Sequence, residues 1–186
     1  TDFAVVHIQN AGSNVVINGL SIEQSGNNFQ FGWTILQEDG LLTVNMAEKI
    51  HSLAGAYNMG WFGGTGWIDT TDIQSSTNAI TWIGDATGGD WYVNAESILG
   101  GSSDILISTE AVDTVGALWI TTKLLKGDMA VGLVSGTSGK VYINAQKMWN
   151  TNASAPVVNS VGFFLWATVQ KMTAESGQFF RCEASS

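Results

Sequence analysis

Phe3-Ala4-Val5-Val6-His7-Ile8, then Gln9-Asn10-Ala11-Gly12-Ser13-Asn14, then Val15-Val16-Ile17-Asn18-Gly19-Leu20-Ser21-Ile22 is the stretch on which the fold turns. Two apolar, β-branched runs flank a cluster of Asn, Gly and Ser. That is the composition of two strands joined by a turn. Asn18-Gly19 marks a further turn or bulge, because glycine accepts positive φ at little cost. The alternation continues along the chain. Phe29–Leu36 reads as a strand closed by Glu38-Asp39-Gly40. Further strands are expected at Ala79–Ile83, Asp90–Asn94, Ile105–Ser108, Ala117–Leu124, Met129–Val134, Lys140–Ala145, Gly162–Gln170 and Gln178–Cys182. A strand at intervals of roughly ten residues is the rhythm of a sandwich or barrel. The expectation is a single domain over residues 1–186: an all-β, antiparallel β-sandwich with one or two short helices. No internal repeat and no linker stands out.

One segment competes as a helix. Leu42, Met46, Ile50, Leu53 and Tyr57 follow helical steps along one face, with Glu48 and Lys49 turned to water and Gly55 near the end.

Composition narrows the function classes. The chain has 186 residues, of which 12% are charged, with 16 acidic and 7 basic residues for a net charge of −9. Seven scattered cations make no basic stripe, so no nucleic-acid partner is expected. There are 8 Trp and 22 Gly but a single Pro and a single Cys. The lone Cys182 forms no intramolecular disulfide and no Cys-rich zinc site. No run of apolar residues is long enough for a transmembrane helix. Thr1-Asp2-Phe3 has no signal-peptide character. The expected location is therefore secreted, or cytoplasmic without a signal peptide, with action at an external membrane surface.

Catalytic motifs are near-misses. His7 lies in a strand. His51, with Ser52 beside it and Asp69 and Asp72 downstream, lacks the exposed serine elbow that a triad requires. Gly136-Thr137-Ser138-Gly139-Lys140 departs from the phosphate-loop spacing and reads as a hairpin turn between Val134 and Val141. Asp85 and Asp90 around Gly88-Gly89 resemble a calcium loop, but an acidic, solvated hairpin explains them better. No enzyme activity, cofactor or metal is expected.

The strongest functional signal is Tyr57-Asn58-Met59-Gly60-Trp61-Phe62-Gly63-Gly64-Thr65-Gly66-Trp67. Aromatic faces on a glycine-rich loop suit stacking on sugar rings or lying in a bilayer interface. The alternative is that Trp61 and Trp67 cap the core while glycines let the backbone pack closely. Trp82, Trp91 and Tyr92 form a second aromatic set with the same two readings. The candidate ligand- or membrane-binding residues are thus Tyr57, Trp61, Phe62, Trp67, Trp82, Trp91 and Tyr92. Trp119, Phe163, Phe164 and Trp166 fall inside strands and are expected in the core.

The opening strands Phe3–Leu20, and Ile50-His51-Ser52 followed by Gly63-Gly64-Thr65-Gly66-Trp67-Ile68-Asp69-Thr70-Thr71-Asp72, resemble segments of the aegerolysins. Met129–Gly136 and Gln178–Cys182 resemble the thermostable direct haemolysin-like toxins, one branch of the wider group of actinoporin-like β-sandwich proteins that also takes in sea-anemone cytolysins and fungal fruit-body lectins. The resemblance implies a sandwich that recognises a lipid head group or glycan at a membrane and assembles as a homo-oligomer. The first expectation is accordingly a non-enzymatic lipid- or glycan-binding protein, extending to a pore-forming cytolysin in which Leu41–Tyr57 inserts. The alternative is a viral or phage coat or fibre subunit that self-assembles, since few charged residues guard the strand edges.

Overall fold

The computed structural model describes residues 3–24, 32–52, 57–82, 89–100, 105–109, 116–133, 139–161 and 164–183. These residues form strands and no helix. The odd-numbered strands are short: β1 (Phe3–Ile8), β3 (Gly32–Gln37), β5 (Tyr57–Trp61), β7 (Ile80–Trp82), β9 (Ile105–Thr109), β11 (Met129–Leu133), β13 (Val158–Val161) and β15 (Phe180–Glu183). The even-numbered strands are long: β2 (Asn14–Gln24), β4 (Leu41–Ser52), β6 (Thr65–Ser75), β8 (Asp90–Leu99), β10 (Ala117–Gly127), β12 (Lys140–Asn150) and β14 (Phe164–Ala174).

Odd strands make one sheet of eight and even strands one sheet of seven, each stacked in chain order. Every pairing is parallel, as in Phe3↔Gly32 and Asn14↔Leu41. The fold is a two-sided β-solenoid, and the expected antiparallel β-sandwich is wrong. β1 and β2 do not pair with each other. The Asn10–Asn14 segment carries the chain to the opposite sheet instead of returning it alongside β1. The same holds for the hairpin expected between Val134 and Val141, since β11 and β12 lie in different sheets. A hairpin and a coil corner need the same turn chemistry, so the local signal does not separate them.

The coil has an internal repeat of about 25 residues, the length from Gly66 to its register partner Trp91. This corrects the expectation of none. Gly40, Gly64, Gly89 and Gly116 all have positive φ and all stand just before a long strand. They stack at one corner, where Thr65 N–H donates to the Gly40 carbonyl at 2.9 Å and Ala117 N–H to the Gly89 carbonyl at 3.3 Å.

The core lies between the sheets. Alternate residues of each long strand point inward and stack in columns. Ile22, Ile50, Ile73, Ile98, Leu125 and Met148 form one such buried column. Each contributes about 1.5–3 kcal/mol by leaving water. The expected helix is β4. Leu42, Val44, Met46, Ile50 and Ser52 are buried, a period of two interrupted by an extra residue at Ala47–Glu48. Steps of four are also multiples of two, so the apolar spacing suited either structure. Residues 53–56 lie outside the described set. The bulge expected at Asn18-Gly19 falls where β2 and β4 shift register, with the additional residue on β4.

Candidate functional site

The solvent face of the long-strand sheet concentrates aromatic and amide side chains that no core explains. In each long strand the third residue points outward. On β6, β8, β10, β12 and β14 it is Trp67, Tyr92, Trp119, Tyr142 and Trp166, each in register with the next. Trp67 is 45% exposed, Tyr92 37%, Trp119 39% and Trp166 61%. Trp119 and Tyr142 cover each other at 3.8 Å with planes 7° apart. Trp67–Tyr92 at 5.9 Å and Tyr92–Trp119 at 6.2 Å are near-parallel, offset pairs. Phe164, two residues before Trp166 on β14, also approaches Tyr142, at 5.9 Å and tilted by 57°.

Two residues further along each strand stands a second outward column: Asn18, Asn45, Asp69, Asn94, Thr121, Asn144 and Thr168. Asn45 Nδ2 donates to Asn18 Oδ1 at 2.8 Å and Asn94 Nδ2 to Asp69 Oδ1 at 3.0 Å. The remaining amide and hydroxyl atoms of this column face water. A hollow of about 320 Å³ lies between Trp67, Tyr92 and Trp119 on one side and Asn45, Asn94 and Thr121 on the other. A second of about 330 Å³ lies between Trp119, Tyr142 and Trp166 and the polar side chains Thr121, Asn144 and Thr168. Beyond the polar column runs a trough of about 880 Å³, bordered by Asp69, Thr71, Glu96, Lys123 and Gln146. Both hollows therefore have one apolar wall and one wall of donors and acceptors.

Tyr92 Oη donates to Asp90 Oδ2 at 3.3 Å. Desolvation, and then the Asp90 charge, hold the phenol above its ordinary range. It stays neutral, and a donor, through any physiological pH.

The expected site residues divide between face and core. Trp67 and Tyr92 belong to the aromatic column. Trp61, Trp82 and Trp91 are buried, which corrects their reading as ligand-facing. Trp61 stacks on Trp82 at 4.7 Å and on Trp91 at 5.7 Å, and its Nε1 donates to the Gly63 carbonyl at 2.8 Å. Gly66 sits under the Trp91 indole, where a β-carbon would collide, so the close-packing alternative holds there. Phe62 is half-buried at the corner after β5, with its N–H donating to the Gln37 carbonyl at 2.9 Å. Tyr57 begins β5 opposite Trp33, and its side chain lies outside the described set. Trp119, Phe164 and Trp166, expected in the core, are on the surface. Phe163 lies outside the described residues.

The other candidates have structural partners. His7 Nε2 meets Glu38 Oε1 at 2.9 Å. Ser52 is buried, and His51 is flanked in register by Glu23 and Gln74. Asp69 accepts from Asn94, and Asp72 from Ser97 Oγ, so His51, Ser52 and these acids form no triad. Asp90 Oδ1 accepts the Ala117 N–H at 2.9 Å. Asp85 and Gly88 of the calcium-like loop, and Gly136–Ser138 of the phosphate-loop near-miss, lie outside the described residues. Among the described residues no group of His, Cys, Asp or Glu is arranged to hold a metal.

Fold and face together define a parallel β-solenoid that displays an aromatic column beside an amide–hydroxyl column. The chain matches no protein-family model, and neither a curated protein nor a solved structure is significantly similar to it. The antiparallel sandwich implied by the resemblance to aegerolysins is not its fold, and no site residue is carried over from that group. Among the described residues no helix is long and apolar enough to cross a membrane.

Proposed function

We propose that the protein is a non-enzymatic glycan-binding domain that engages its ligand along the solvent face of the long-strand sheet. The observation that carries the reading is the pair of hollows, each with an aromatic wall and an amide–hydroxyl wall. A sugar ring has apolar C–H faces and a rim of hydroxyls, and needs both walls at once. Neighbouring strands are about 4.8 Å apart, so the same pair of walls recurs at close to the length of a sugar residue in an extended chain. An unbranched oligosaccharide laid across the strands would meet equivalent contacts on successive turns.

The bilayer reading has less support. On β6, β8, β10 and β12 the aromatic column is one residue wide, and Asn, Asp and Thr border it, so it offers little continuous apolar area for insertion. The pore-forming version relied on an amphipathic helix at Leu41–Tyr57, and residues 41–52 are a strand inside the sheet.

The test is binding of neutral oligosaccharides, screened on an array and measured by titration calorimetry. Trp67→Ala and Trp119→Ala should each weaken the best ligand about tenfold or more, as loss of an interface aromatic does. Their unfolding midpoints should stay close to that of the parent, because the side chains are on the surface. A failure to bind any glycan, or binding indifferent to both substitutions, would sink the proposal.

A further inference from the structure

Several outward polar groups of the long-strand sheet pair across neighbouring strands. Lys49 pairs with Glu23 at 3.1 Å, Lys123 with Glu96 at 2.5 Å, Asn45 with Asn18 and Asn94 with Asp69. One place breaks the pattern. Lys147 on β12 is directly opposite Lys171 on β14, and Lys126 on β10 is directly opposite Trp149 on β12. The Nζ atoms of Lys126 and Lys147 lie 4.4 and 4.2 Å from the centroid of the Trp149 ring. Two ammonium groups thus lie against one indole, and Lys171 stands opposite one of them on the next strand. Like charges placed opposite one another in a sheet are destabilising.

Nearby acids only partly offset them. Glu175 approaches by accepting a hydrogen bond from Trp149 Nε1 at 3.3 Å. Asp128, at the turn after β10, accepts from Thr151 Oγ1 at 3.0 Å. Among the described residues the ion pairs join His7 to Glu38, Lys49 to Glu23 and Lys123 to Glu96, and none takes Lys126, Lys147 or Lys171. The wider field has the same sign. Six of the seven cations, but only Asp128, Glu175 and Glu183 among the 16 acids, lie beyond residue 120. The net charge of −9 hides a cationic end, and the fold gathers cations that are scattered in the sequence.

We propose that Lys126, Lys147, Lys171 and Trp149 form a binding site for an anionic sugar, carboxylated or sulfated. The ammonium groups would take the anion and the indole edge the apolar face of its ring. The site stands five to seven strand positions from the aromatic column, roughly 17–23 Å along the strands. It goes beyond the glycan reading of that column and shares no residue with it.

The test is titration with a galacturonate oligomer, with the neutral galactose oligomer of equal length, inorganic sulfate and a single-stranded oligonucleotide as comparisons. The galacturonate oligomer should bind more tightly than all three, and should weaken about tenfold between 0.05 and 0.5 M NaCl. Lys147→Gln with Lys171→Gln should abolish most of that binding, and Lys147→Arg should restore it in the presence of Lys171. Lys140→Gln, an exposed lysine on the same sheet but outside the cluster, should leave it unchanged. Lys171→Gln alone should hold or raise the melting temperature of the free protein, because it removes a like-charge neighbour. Equal loss on Lys140→Gln, equal binding of the oligonucleotide, or binding of sulfate as tight as the oligomer would each overturn the proposal. Loss of neutral-sugar binding in Trp67→Ala, with galacturonate binding intact, would support the separateness of the two sites. Parallel loss of both would overturn it.

Discussion

Gln37 shows how much one side chain can hold in this fold. It is fully buried at the inside of the glycine corner. Its Nε2 donates to the carbonyls of Gly40 at 3.0 Å and Thr65 at 3.1 Å, and its Oε1 accepts Trp91 Nε1 at 2.6 Å. Gln37→Leu would leave the Trp91 indole N–H without its acceptor in the core and take a donor from the Gly40 and Thr65 carbonyls, at a cost of about 2 kcal/mol or more. Asn45→Leu, on the solvent face, removes one exposed bond and should cost under about 1 kcal/mol. Urea unfolding of the two variants checks the contrast, and equal midpoints would mean that the corner network contributes little. At this scale the sequence showed which residues were aromatic but not which way they pointed. Trp91 and Tyr92 are adjacent, and strand alternation sends one to the core and the other to solvent. Read in step, Gly66-Trp67-Ile68-Asp69, Trp91-Tyr92-Val93-Asn94, Leu118-Trp119-Ile120-Thr121 and Val141-Tyr142-Ile143-Asn144 are one motif. That phase was present in the sequence, and it would have separated Trp67 and Tyr92 from Trp61, Trp82 and Trp91.

The element that sets the coil is its glycine corner. Gly64 has φ of +79°, and a β-carbon there would come within 2.5 Å of the Gly40 carbonyl oxygen. A β-carbon on Gly116, at φ +131°, would run into the Gly89 carbonyl. Gly177 has a comparable φ of +73° but open space around it. Gly177→Ala should therefore cost only the left-handed penalty, about 1 kcal/mol. Gly64→Ala and Gly116→Ala should cost clearly more, about 3 kcal/mol, because the backbone of the preceding turn must also move. Chemical denaturation of the three variants checks the order, and a flat series would remove the corner from the explanation. Most long strands were legible as apolar, β-branched runs. β5 and β6 were not, because their glycines and aromatics have the composition of a loop. β4 was not, because its bulge gave a strand helical spacing. The parallel direction was not legible locally at all, since it depends on pairing between residues about 25 positions apart.

At the scale of the molecule, stability is shared along the stack. Each turn of the coil buries its inward side chains across the two sheets and against the turns before and after it, so substitutions near the middle should be felt most. The two functional proposals occupy one sheet face for the same reason. A parallel, in-register stack brings equivalent positions of every turn into line, so a preference at one strand position becomes a column of aromatics, amides or lysines. The most direct measurement of that stack is a distance series by electron spin resonance. Nitroxide pairs would be placed at Asn18 with Asn94, with Asn144 and with Thr168, in a Cys182→Ser background. These residues occupy the same position on β2, β8, β12 and β14. The backbone separations should be about 14, 24 and 29 Å, rising by about 4.8 Å for every turn. Distances that fail to increase in this order, as the pairing of an antiparallel sandwich would give, would contradict the solenoid and the two columns built on it.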